Sequence, residues 1–262
     1  MLKAMLTAAT GMSAQELCID AIANNLANVN TTGFKKSRVS FQDLFYQYYG
    51  FDRAKGQGEG ESSYLIQVGN GTRVSSTNRD FSQGKIVQTG SPLDLMIEGR
   101  GFFPVLMPDG TLAYTRDGSF KIDGDGRIIT PDGYLLYPDL VLPAEATGIS
   151  ISPDGKVSVT LVGESEPEEL GQIILAKFVN PGGLKSIGRN LYTPTLTSGE
   201  ALFEEPTQEG LGQLSQGFLE ASNVDVVDEM VAMILAQRAY EINSKVIQTS
   251  DNMLSLINRL SR

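Results

Sequence analysis

Apolar residues at both ends of the chain recur with helical spacing, and between them the pattern changes to strand alternation. From Leu2 to Asn28, the residues Met5, Met12, Ile19 and Leu26 repeat every seven positions. Ala8, Gln15, Ile22 and Val29 form a second line, with Gln15 its polar interruption. This a/d seam predicts a helix about 40 Å long. Asn24, Asn25, Asn28 and Asn30 then lead through Thr31 and Thr32 to Gly33, the expected stop beyond the last turn. At the other end Leu235, Ala239, Ile242, Val246, Thr249, Met253, Leu256 and Leu260 alternate steps of four and three without a break. Val224, Val227, Val231 and Ile234 continue the stripe upstream, with Ser222 or Asn223 as N-cap. The second helix is expected to run about 55 Å.

Proline and glycine separate these ends from the middle. All 11 prolines lie between Pro92 and Pro206, and of 28 glycines only Gly11 and Gly33 precede Gly50 and none follows Gly217. Ile149–Ser152, the Pro153-Asp154-Gly155 turn and Lys156–Leu161 read as a hairpin, as do Phe120–Ile122 and Arg127–Ile129 around Asp123–Gly126. Further strands are expected at Leu93–Ile97, at Phe102–Met107 and at Gln172–Phe178, and Pro104 suggests an edge or a bulge. Together they outline a β domain over 91–190. Residues 46–72 stand apart: Tyr46, Tyr48, Tyr49 and Phe51 precede Gly56, Gly58 and Gly60 and then the strand-like Ser63–Val68. Composition alone leaves open a loop or a projecting hairpin ordered by a neighbour.

Composition removes much chemistry. The 262 residues carry 31 acids against 21 bases, a net charge of −10, which argues against a nucleic-acid partner. With no histidine, an imidazole base and His-ligated metals are excluded, and Cys18 alone makes neither an internal disulfide nor a zinc cluster. No apolar run reaches a membrane span of ~18–20 residues. Gly56-x-Gly58-x-Gly60 and Gly99-x-Gly101 lack the spacing of phosphate loops. Asp123-x-Asp125 begins like a calcium loop, but Arg127, Ile128 and Tyr134 occupy positions that ligands and the obligatory glycine need. No cofactor or metal is expected. Glu98 or Asp117 as half of a hydrolytic carboxylate pair is a rival that spacing does not diagnose. Lys35, Lys36 and Arg38 read as a solvated basic face, with an ion pair to Asp228 or Glu229 the alternative. The Ala-rich start up to Ala14 resembles a signal peptide only weakly, because the heptad line runs through the supposed cleavage zone.

An apolar seam needs a cover, since packing supplies most helical stability. Pairing the two terminal helices still leaves too little interior for a stable unit. Physics alone leaves two readings open: an internal pair lying on the β domain, or a polymer whose terminal helices form a shared tube.

Particular stretches carry a resemblance. Ala23-Asn-Asn-Leu-Ala-Asn-Val-Asn-Thr-Thr-Gly-Phe-Lys35 resembles the N-terminal signature of bacterial flagellar rod and hook proteins. Ser222-Asn-Val-Asp-Val-Val-Asp-Glu-Met230 with Gln237-Arg-Ala-Tyr-Glu-Ile-Asn-Ser-Lys245 is similar to their C-terminal signature. Phe41–Gln47, Gln67–Val74, Gly101-Phe-Phe103 and Tyr114–Phe120 are similar to distal rod members in particular. Ile242 departs mildly, alanine being more familiar there.

The resemblance implies an α+β fold in three layers. Terminal helices in 1–32 and 218–262 pair in a coiled-coil-like D0 domain around an export channel. A connecting region Dc comprises 33–90 with 191–217, and an outer antiparallel β domain D1 comprises 91–190. Residues 46–72 become a hairpin contacting neighbouring subunits. The function implied is a non-enzymatic subunit of the distal rod, a hollow drive shaft crossing the periplasm, exported without signal cleavage. A proximal rod or hook-type protein is the near alternative, and a secreted carboxylate hydrolase the distant one. Expected partners are further copies, the proximal rod protein, the hook protein, P-ring and L-ring proteins and the rod cap, with no nucleic acid and no membrane insertion. Met5, Met12, Ile19, Ile22, Leu26, Leu235, Ile242, Val246, Met253, Leu256 and Leu260 would form the self-assembly seam. Asn24, Asn25, Asn28, Gly33, Phe34, Gln237, Arg238, Tyr240 and Asn243 would set register or carry the family motif.

Overall fold

Helix α1 spans Leu2–Ala27 and helix α2 spans Val226–Leu260, with β structure between them. The computed structural model describes residues 1–50, 65–143, 145–161, 167–208 and 210–260. Two compact units result. One holds α1 up to Asn24, residues Ser37–Asn78 and α2; the other holds Asn25–Lys36 and Arg79–Asp225. The three-layer division expected above concerns an assembled rod, whereas the single chain groups into these two.

In the helical unit, small residues decide how the helices meet. Ala8 and Ala14 of α1 are buried, and a side chain at Gly11 would lie 2.9 Å from the Asn243 amide of α2. Ala4 and Ala8 share a groove with Asn243 and Val246, while the field of Glu229 reaches Cys18. As α1 advances, its neighbours on α2 retreat, so the pair is antiparallel. Burial together with Glu229 pushes the Cys18 thiol above its ordinary value. The strand Ser37–Asp43 pairs with Thr72–Arg79, and Gln47–Gly50 pairs antiparallel with Leu65–Val68. The expected hairpin of 46–72 thus has a paired base; its Gly56–Gly60 tip lies outside the described residues. Lys3 ties this base to α1, donating to Gln47 Oε1 at 2.8 Å and lying 5.4 Å from the Tyr49 ring centre.

The β unit is built on a seven-stranded antiparallel sheet. Its order is Lys185–Gly188, Leu191–Thr193, Leu112–Thr115, Phe103–Leu106, Leu135–Leu136, Ile128–Ile129 and Lys121–Ile122. Adjacent phenylalanines show that both faces are buried. Phe103 enters a core with Phe120, Ile128, Val157 and Leu175, while Phe102 packs edge-on against Phe178 and Tyr192. Both expected hairpins form, one pairing Ile151 with Val157 and the other Ile122 with Ile128. Pro104 corrects the expectation of an edge, because its strand is central. The Pro104 carbonyl accepts from Tyr137 at 2.9 Å, so the ring nitrogen faces the strand Leu135–Leu136 just past its end. The one bond that the ring nitrogen cannot return, to Tyr137, falls at the end of that ladder and not within it.

Candidate functional site

Two features stand out: an uncovered apolar face on α2 and a buried ionic cluster in the β unit. Toward α1, α2 turns mostly small or polar residues. Ala236 and Ser250 are buried, and Ala232, Ala239 and Asn243 half-buried. The large members of its heptad line face away, with Leu235 65%, Ile242 64%, Met253 50%, Leu256 60% and Leu260 80% exposed, while Val246 lines the groove beside Ala4 and Ala8. Periodicity announces an apolar face; it does not say what covers it. On α1, Ile22 is buried and Met5, Met12, Ile19 and Leu26 are half-buried.

The ionic cluster gathers distant segments. Lys35, with no exposed surface, pairs through Nζ with Glu220 Oε1 at 2.5 Å and donates to the Ser82 carbonyl at 2.6 Å. Arg116 Nη1 reaches Glu220 Oε2 at 3.5 Å, and Nη2 donates to the Gly99 carbonyl at 2.6 Å. The Gly84 N–H also donates to Glu220 Oε1. Burial pushes the Lys35 ammonium below the ordinary lysine value against the opposing pull of Glu220, and burial likewise lowers Arg116. Arg116 Nε is buried without a hydrogen-bond partner among the described residues. Around the cluster, Arg79 donates to the Lys35 carbonyl and lies over the rings of Phe34 and Tyr192, 5.8 and 5.5 Å from their centres. Burial raises the Tyr192 phenol.

This geometry corrects several expectations. Lys35 belongs to a buried ion pair with Glu220, not to a solvated basic face or a pair with α2. Gly33 does not cap α1, which ends at Ala27. It adopts φ 66°, donates to the Glu220 carbonyl at 2.8 Å, and leaves space that a Cβ would fill 2.7 Å from Asp117 N and 2.8 Å from the Arg116 carbonyl carbon. Neither Ser222 nor Asn223 caps α2, which begins at Val226. Asn223 Oδ1 instead accepts from Lys36 N–H at 2.8 Å, and its Nδ2 donates to the Asp80 carbonyl at 2.8 Å. Gly33→Ala should therefore destabilise the β unit by about 2–4 kcal/mol, from left-handed strain plus overpacking. Urea unfolding measures this, and an unchanged midpoint would refute the close approach.

The expected register residues fall into two groups. Asn25 and Phe34 are buried and Asn28 half-buried, its Oδ1 accepting from Thr31 Oγ1 at 3.2 Å. Asn24, Gln237 and Tyr240 are exposed, Arg238 pairs with Glu241 at 3.0 Å, and Asn243 faces Gly11. Sequence reasoning missed Glu220, Arg116, Arg79 and the role of Asn223. Lone charges in β structure have no periodicity; the available signal was that Lys35, Arg116 and Asn223 sit inside the signature stretches. Asp123 Oδ1 accepts from the N–H groups of Asp125 and Arg127, as a hairpin turn requires.

Comparisons with known proteins agree with this layout. Three family models match: "Flagella basal body rod protein" at residues 5–35, "Flagellar hook protein FlgE/F/G D1 domain" at 96–159, and "Flagellar basal body rod FlgEFG protein C-terminal" at 215–260. The chain is 51% identical to the flagellar basal-body rod protein FlgG of Borreliella burgdorferi over the whole of both chains. It is 48% identical to FlgG of Caulobacter vibrioides over 99% of each chain. The flagellar hook-basal body complex protein FlhP of Bacillus subtilis is 30% identical over 98% of this chain and 99% of its own. Full-length identity at that level, with matched segments that include both helices and both ends of the ionic cluster, shows that the chain belongs to the FlgG family of flagellar basal-body rod proteins.

Proposed function

We propose that the chain is the subunit of the distal rod, polymerising into a rigid, hollow, helical shaft that carries torque from motor to hook and lets exported subunits pass. The uncovered row Leu235, Ile242, Met253, Leu256 and Leu260 carries this reading. A row of large apolar side chains facing water is an assembly surface in search of a cover. The cover is further copies of the chain, because a rod needs contacts that repeat without closing. The helices make the inner D0 layer, and the β structure makes Dc and D1. The shaft meets the proximal rod protein and the hook protein at its ends, P-ring and L-ring proteins along its side, and the rod cap during assembly. Its work on this reading is mechanical; Glu98 accepts from Gln213 and Ser215, and Asp117 from Ser119, so each of these carboxylates is bonded to neighbouring chain. Export without signal cleavage is supported by α1 continuing past Ala14, which is buried. No helix among the described residues is long and apolar enough to cross a membrane.

Electron microscopy of the concentrated full chain tests the proposal: hollow tubes of constant diameter are expected, and single particles at every concentration would contradict it. Deleting 46–72 should leave the melting of the β unit unchanged while giving rods that bend more. The described base of that segment pairs within the helical unit, and loss of the β-unit transition would show that the segment belongs to a core.

A further inference from the structure

The covalent chain passes between its two units after residues 24, 36, 78 and 225. Next to three of these passages, within the β unit, the segments are bound to one another although far apart in sequence. Asp80 N–H donates to the Lys36 carbonyl at 3.0 Å, and Asn223 N–H to the Phe34 carbonyl at 3.4 Å. The Asn223 side chain bridges Lys36 and Asp80, and Arg79 donates to the Lys35 carbonyl. Beneath them Lys35, Glu220 and Arg116 converge, with Ser82 and Gly84 of the third segment bonded into the same cluster. We infer that the Lys35–Glu220–Arg116 cluster, with Asn223, is a directional clamp that fixes where the chain enters and leaves the β unit, and that rod stiffness depends on it.

The reason is the kind of interaction used. Apolar packing would hold three segments together but tolerate small slips, whereas charge-assisted hydrogen bonds fix distance and direction. The cluster is poorly arranged as a source of stability: Arg116 Nε finds no partner among the described residues, and burial outweighs the pull of Glu220 on Lys35. Its contribution is geometric. This rests on the rod reading, because a shaft passes its load through those covalent passages and any looseness there bends the polymer.

Hook–basal bodies purified from cells producing each variant test the clamp, with rod curvature measured by electron cryo-microscopy. Asn223→Ala leaves the ions in place and should still assemble, giving rods curved beyond the wild-type spread. The triple variant Lys35→Met, Arg116→Met, Glu220→Leu fills the volume without charge. Its β unit should melt within about 2–4 °C of the parent, while its rods also lose straightness. Wild-type straightness in Asn223→Ala would overturn the clamp, as would straight rods from a triple variant of parental stability. If instead the parent chain yields no rod, the rod reading fails and the clamp with it, a result distinct from straight variant rods.

Discussion

Leu256→Asp should abolish rod formation while leaving the β unit to melt as in the parent chain. Leu256 is 60% exposed on the single chain, so the substitution disturbs little there. In the polymer proposed above, a sister subunit would cover this row, and the aspartate would enter an apolar contact without a counter-charge. Losing the leucine forfeits about 1.5–3 kcal/mol of burial. Desolvating the carboxylate adds several kcal/mol per ion. Both recur at every subunit, so the polymer vanishes rather than merely weakening. Calorimetry of the soluble chain and micrographs of basal bodies check the two halves separately. Normal rods in this variant would refute the proposed seam. Graded losses are expected from Leu235→Ala and Ile242→Ala, smaller because they add no charge.

The second large effect lies in the β unit. Glu220→Gln leaves the Lys35 ammonium and the Arg116 guanidinium buried without their carboxylate, a break that costs about 3–5 kcal/mol. The pH dependence has a definite sign. Burial already holds Lys35 below the ordinary lysine value, and removing the carboxylate lowers it further. Between that lowered value and the ordinary one, the folded chain has released a proton that the unfolded chain retains. Stability of the variant therefore rises with pH across that window. Urea unfolding near neutrality and again toward the ordinary lysine range measures both effects. A variant as stable as the parent, or one whose deficit grows with pH, would contradict the buried-cluster account.

Much of this architecture was legible in the sequence, for physical reasons. Heptad spacing located both helices to within a few residues, and turns such as Pro153-Asp154-Gly155 located hairpins, because both signals are local. What covers a face is not local. Spacing marks the row from Leu235 to Leu260 as apolar, but Ala8, Gly11 and Ala14 on α1 admit the small side of α2 instead. Glu220 lies 185 residues from Lys35, and no spacing rule connects them. Glycine is common beyond a helix end, so the sequence places Gly33 there, whereas its φ and the backbone of Arg116–Asp117 set its role. Pro104 misled because an edge is its usual place, and only the length of the adjoining strand excuses it in the centre.

Amide exchange along α2, compared between dilute chain and assembled rods, decides whether the terminal helices complete their burial only between sister chains. Amides from Ile242 to Leu260 should exchange rapidly in the dilute chain and orders of magnitude more slowly in rods. Equal, strong protection in both states would contradict the account.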